Sequence, residues 1–153
     1  RIGQYLGAPV RFDSLQQAAD AMWIMSSSFG PHTNQQWLEL SRHMVRTLPD
    51  GGLAMHYDPA IAQAFKAMTP EVSAASAMQL WQLYDRIHAR TLLLRGAQSD
   101  LLSPETAQAM VHRGPMAKLV EFEGVGHAPT LMAQDQVQVV SEFLLAPEAT
   151  VAA

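Results

Sequence analysis

From Thr91 onward the chain reads strand, helix, strand, helix, and that order leaves few folds open. Thr91-Leu92-Leu93-Leu94 is a short apolar run ending in Arg95-Gly96, the pattern of a strand buried on both faces. Ser103-Pro104-Glu105 then caps a helix through Ala107, Met110 and Val111, which Gly114-Pro115 stops. Lys118–Phe122 reads as a second strand, and after the loop Glu123–Thr130 a last helix sets Val137, Val140, Phe143 and Leu144 on one face. Strands joined through a helix pair in parallel, with a right-handed crossover. Two parallel strands do not make a stable sheet alone, so an edge of the Leu92–Leu94 strand calls for a further neighbour.

Upstream, residues 1–86 have a different rhythm, helical and poor in β-branched runs. Ser14-Leu15-Gln16-Gln17 is a capping-box pattern opening a helix through Ala18, Ala19, Met22, Trp23 and Ile24. Thr33-Asn34-Gln35-Gln36 repeats the device and leads Trp37, Leu38, Leu40, Met44 and Val45. Leu48-Pro49-Asp50-Gly51-Gly52 is a turn. Asp58-Pro59 and Thr69-Pro70 each set a capping residue before a helix-starting proline, the second helix carrying Leu80, Trp81 and Tyr84. The expected organisation is a bundle of short helices over 1–86, a βαβα unit over 87–145, and a frayed tail over 146–153. The opening Arg1–Leu6 has no initiator Met and reads like the middle of a helix.

Composition removes whole classes of function. The formal charge is −4 and no Lys/Arg cluster occurs, so nucleic acid is not an expected partner. Cys is absent, which excludes disulfides, thiolate metal sites and a Cys nucleophile. No apolar run reaches membrane-spanning length. No phosphate-cradling glycine loop or His-rich metal motif occurs, so no cofactor is called for. No address is written in the sequence, and a cytoplasmic setting is the default expectation.

Chemistry concentrates after the two strands. In open parallel sheets, sites form beyond the carboxyl ends of the strands. Asp100 follows the first strand in Gly96-Ala97-Gln98-Ser99-Asp100, and His127 follows the second in Gly124-Val125-Gly126-His127-Ala128-Pro129. Either residue alone has a bland reading, as a turn cap or a surface histidine. Adjacent parallel strands lie about 4.8 Å apart, so the two loops emerge side by side. A carboxylate there can accept from one ring N–H and leave the other nitrogen free as a base. Lesser candidates are Asp85 and His88, at helical i,i+3 spacing, and His32 and His56, which would face a pocket only if the helices covered one. Six methionines of the helical region (Met22, Met25, Met44, Met55, Met68 and Met78) suit core filling or an adaptable apolar wall.

The run Leu92-Leu93-Leu94-Arg95-Gly96 through Ser99-Asp100 and Ser103-Pro104-Glu105, followed by Gly124-Val125-Gly126-His127-Ala128-Pro129, closely resembles the last third of α/β-hydrolase-fold enzymes. The resemblance implies an α/β fold in which a helical cap precedes the last two strands of a parallel sheet. Phe29-Gly30-Pro31-His32 and His56-Tyr57-Asp58-Pro59 look like parts of that cap. It also implies that Asp100 is a triad acid and His127 a triad base, serving a nucleophile that precedes them in chain order. That nucleophile sits in a Gly-x-Ser-x-Gly elbow, and no such motif occurs here; Ser26-Ser27-Ser28-Phe29-Gly30 has Ser where the first Gly is needed and reads as a loop. The expected activity is serine hydrolysis of a small apolar ester or acyl substrate, with the elbow supplied upstream. Epoxide hydrolases, dehalogenases and C–C hydrolases share the fold, and a non-catalytic module that pairs its open strand edge with an N-terminal half or another copy remains the alternative.

Overall fold

The structure is a computed structural model, and it describes residues 10–66 and 69–147. The opening Arg1–Leu6, Met68 and most of the tail lie outside the described residues. The chain divides into two compact units, one of residues 10–27 and 32–83, the other of 28–31 and 84–147.

In the first unit, β1 (Arg11–Phe12) precedes α1 (Leu15–Ser26), and α2 (Asn34–Arg42) precedes β2 (Val45–Thr47) and β3 (Leu53–Met55). Both expected caps form. Ser14 Oγ accepts from Gln17 N at 3.1 Å, while Thr33 and Gln36 complete a reciprocal capping box. The buried face of α1 is Ala18, Ala19 and Met22, whereas Ile24 is largely exposed. Small residues on that face bring α1 close to α2, where buried Trp37 donates its indole N–H to the Ala19 carbonyl at 2.8 Å. Phe12 completes this core, with Leu38, Leu40, Met44, Val45, Leu53 and Met55 packed around it. Truncating a buried aromatic such as Trp37 costs about 3–5 kcal/mol.

The bundle expectation needs one correction. The second helix ends at Arg42, and Met44 and Val45 leave it for a turn and a strand. β2 and β3 form a hairpin around the Leu48–Gly52 turn, with Val45 opposite Met55 and Thr47 opposite Leu53. β1 adds on the other side of β3, giving an antiparallel sheet of order β1-β3-β2. Strands of two or three residues are too short for alternation to show in a sequence. α3 (Ile61–Lys66) and α4 (Pro70–Tyr84) complete this stretch of chain. Asp58 begins the turn into α3, accepting from Ala60 N at 2.8 Å. Met78, Leu80 and Leu83 of α4 are exposed.

The second unit follows the expected order: β4 (Leu92–Gly96), α5 (Pro104–Val111), β5 (Lys118–Phe122) and α6 (Gln134–Leu145). β4 and β5 are parallel, in register from Leu92 opposite Lys118 to Gly96 opposite Phe122. Ser103 caps α5, accepting from Thr106 N at 3.2 Å. Leu92, Leu93 and Leu94 are all only partly buried, without alternation, so the expected burial on both faces is incomplete among the described residues. The expected apolar face of α6 is only partly used. Val140 and Phe143 are half-buried while Val137 and Leu144 are exposed. Arg90 closes the end of α6, donating to the carbonyls of Phe143 (2.9 Å) and Ala146 (3.1 Å) and lying over the Phe143 ring.

Asp85 and His88 do not share a helical face, because α4 stops at Tyr84. Asp85 instead makes a two-pronged pair with the Arg113 guanidinium, which holds its carboxyl below the ordinary carboxylate range. A depressed carboxyl stabilises the fold above its unfolded pKa and loses that contribution as pH falls through the folded value. Asp85→Asn should therefore lower the thermal midpoint of the full-length protein at neutral pH, with the difference from wild type shrinking as pH falls through the depressed folded value. Equal midpoints throughout that range would show that the pair adds nothing.

Candidate active site

The site is built where β4 and β5 end. Their ladder continues into the loops: Ala97 N donates to Phe122 O at 2.9 Å and Gln98 N to Val125 O at 3.0 Å. Gln98 Nε2 reaches Glu123 at 3.1 Å. The Ser99 hydroxyl then accepts from Leu102 N at 3.2 Å and donates to the His127 carbonyl at 3.3 Å. Asp100 follows Ser99 directly, so the two candidate residues sit on loops stitched together by hydrogen bonds. Both side chains are exposed.

Two glycines make this approach possible. A Cβ on Gly96 would lie 2.1 Å from the Gly126 carbonyl oxygen and 2.4 Å from that of Val125. A Cβ on Gly126 would lie 2.5 Å from the Ser28 carbonyl oxygen, which accepts a hydrogen bond from Gly126 N. Three backbone segments therefore cross with no room for side chains.

The third segment was not singled out by the sequence as part of the site. Ser28–Pro31 belongs to the same unit as the His127 loop, and the Phe29 ring stands 5.6 Å from the His127 imidazole, tilted by 57°. Gly30 is buried, a Cβ there lying 3.1 Å from the Val125 side chain. Ser26–Gly30 is thus no nucleophile elbow: Ser27–Phe29 is a 3-10 turn following α1, not a strand-to-helix turn. A Phe-Gly-Pro turn directly after a helix was the available signal, because such a turn redirects the chain sharply.

The remaining histidines lie elsewhere. His32 is half-buried in an aromatic cluster of the first unit, its ring 6.5 Å from Trp23 and 5.7 Å from Trp37. His56 is exposed, and its backbone N–H bonds the Met44 carbonyl at 2.8 Å. Among the described residues no three His, Asp or Glu side chains gather closely enough to hold a metal ion. No helix among them is long and apolar enough to cross a membrane.

The geometry can be set beside known proteins. No family model matches the chain. A 3-hydroxybutyrate-oligomer hydrolase of Cupriavidus necator is 42% identical over 146 residues, covering 94% of this chain and 50% of that protein. Among solved structures, an α/β hydrolase from Novosphingobium aromaticivorans superposes with a TM-score of 0.75 at 34% identity, over 94% of this chain and 50% of its own. A Mycobacterium tuberculosis esterase shares the fold with a TM-score of 0.62 at 18% identity, over 89% of this chain and 42% of its own. The chain thus spans about half the length of the curated relative it matches. Superposition on an α/β hydrolase over 94% of this chain with a TM-score of 0.75 shows the fold: the chain has the α/β-hydrolase fold and corresponds to the C-terminal half of it.

Proposed function

We propose that the full-length protein hydrolyses esters through a serine nucleophile, with His127 as the base and Asp100 as the acid that orients it. His127 would take the proton of an upstream Ser hydroxyl as the oxygen attacks the ester carbonyl, then return it to the leaving alcohol. In the second half-reaction it would draw a proton from water as the water oxygen attacks the acyl carbonyl, then return that proton to the Ser oxygen as the acid is released. Asp100 would hold the imidazole in one tautomer and stabilise its protonated form. The observation that carries this reading is the stitching of the Asp100 loop to the His127 loop at the carboxyl ends of adjacent parallel strands.

The substrate class follows from the 42% identical relative. An oligomer of a hydroxy acid is held together by ester bonds, so short hydroxyacid oligomers are the proposed substrates. The elbow and oxyanion-hole amides would come from sequence preceding this chain, as would a strand on the side of β4 that has no partner among the described residues. The open edge also supports the reading of this segment by itself as an associating module, since a triad without nucleophile and oxyanion hole keeps little rate enhancement.

The test is hydrolysis of a 3-hydroxybutyrate trimer by the full-length protein, before and after treatment with a fluorophosphonate. Turnover that disappears as one serine upstream of this chain gains the adduct is the expected result. Turnover without a reactive serine would favour an Asp nucleophile and alkyl transfer. No turnover of any ester would leave the associating module as the better account.

A further inference from the structure

We propose that Arg95 is a positioning residue, one that fixes the loop carrying Asp100 and thereby sets how the carboxylate meets His127. The inference rests on the acid–base reading above and adds to it a residue that does not touch the substrate.

Arg95 is the penultimate residue of β4 and is 3% exposed. Burying a guanidinium is costly, and a strand needs only apolar bulk at such a position, so the polar group calls for a reason. Its hydrogen bonds supply one. Nε donates to the Leu102 carbonyl at 2.7 Å and Nη1 to the Ala97 carbonyl at 3.3 Å. Those two carbonyls bracket residues 98–101, so one rigid planar group spans both ends of the Asp100 loop. Nη1 also meets Glu121 on β5 at 2.5 Å, which anchors the fork to the strand that leads into the His127 loop. Ser99 staples the loop from inside, accepting from Leu101 N (3.4 Å) and Leu102 N (3.2 Å).

Asp100 is exposed and lies within the bracketed stretch 98–101, so the backbone that Arg95 fixes is the backbone that carries it. A lysine carries the charge but presents a single ammonium in place of a fork, and it cannot bridge two separated carbonyls with the same rigidity. Supporting groups of this kind are worth about 10–100-fold when lost.

The experiment compares wild type, Arg95→Lys, Arg95→Met and Asp100→Asn in the full-length protein. It measures kcat and KM for a chromogenic acyl ester across pH, alongside thermal midpoints. Arg95→Lys is expected to lose about 10–100-fold in kcat with KM changed less than about twofold. The acid limb of its pH profile should move to lower pH, because a displaced carboxylate stabilises the imidazolium less. Arg95→Met should lose more; if it fails to fold, Arg95→Lys decides. Folded Arg95→Lys with wild-type kcat and an unmoved acid limb overturns the proposal, as does a loss confined to the thermal midpoint. Asp100→Asn separates the two levels. If it is inactive while Arg95→Lys behaves as wild type, only the positioning role fails. If Asp100→Asn keeps its kcat, the acid–base reading falls with it.

Discussion

Replacing His127 with Ala in the full-length protein is expected to lower kcat by about 10⁴–10⁶-fold while leaving the fold intact. The size follows from the role. Without the imidazole, a serine hydroxyl at neutral pH has no acceptor for its proton, and the leaving alcohol has no donor. What survives is the contribution of substrate binding and the oxyanion hole. The fold should be indifferent because the His127 side chain is exposed, and exposed substitutions usually stay within about 0.5 kcal/mol. Asp100→Asn alone should cost about 10³–10⁴-fold. The double variant should be no slower than His127→Ala, because an orienting carboxylate has nothing left to orient. Steady-state kinetics on one ester, with thermal midpoints as a check on folding, decide the matter. Additive losses would mean that the two residues act separately, and a His127→Ala enzyme within tenfold of wild type would remove the base assignment.

How much of this was legible in the sequence depends on how local each feature is. Leu92–Gly96 and Lys118–Phe122 could be read because an apolar or β-rich run between turn signals depends only on its own residues. The Ser103 cap and the Thr33 capping box were legible because the partners sit three residues apart. The antiparallel sheet was not: β1 pairs Arg11 with Ala54, a partner distant in sequence, and neither strand is long enough to alternate. Nor did the sequence show that Ile24 and Leu144 would stay exposed on otherwise amphipathic helices, because which face a helix buries depends on what the remainder of the protein offers. At the candidate site, the placement of Asp100 and His127 just beyond the ends of β4 and β5 was readable, because it follows from the strands themselves. Phe29 and Arg95 were not singled out: Phe29 meets His127 far along the chain, and the bonds of Arg95 depend on how the loop after β4 folds back over it.

Gly96→Ala should be the most damaging single-methyl change in the second unit, for stability and for catalysis together. The added Cβ would meet two backbone carbonyl oxygens, of Gly126 at 2.1 Å and of Val125 at 2.4 Å. Side chains can rotate out of such a clash, but these atoms cannot, because Val125 O and the neighbouring Phe122 O accept from Gln98 N and Ala97 N. Relief therefore requires the end of β4 and the His127 loop to part. Forcing a packed site open in this way costs about 3 kcal/mol, and each kcal/mol lowers the midpoint of a protein of this size or larger by about 2–4 °C. A fall of about 6–12 °C is thus expected. The surviving folded fraction should be slow as well, because misplacing a catalytic group by about 1 Å can cost about 10²-fold. Gly124→Ala provides the contrast. It lies in the same loop with φ +73° but has nothing within 4 Å of an added Cβ, so it should suffer backbone strain of about 1–2 kcal/mol with kcat nearly preserved. If Gly96→Ala and Gly124→Ala lose the same stability and both keep kcat, the crossing of the two loops is slack, and their stitching is not what sets the positions of the Asp100 and His127 loops.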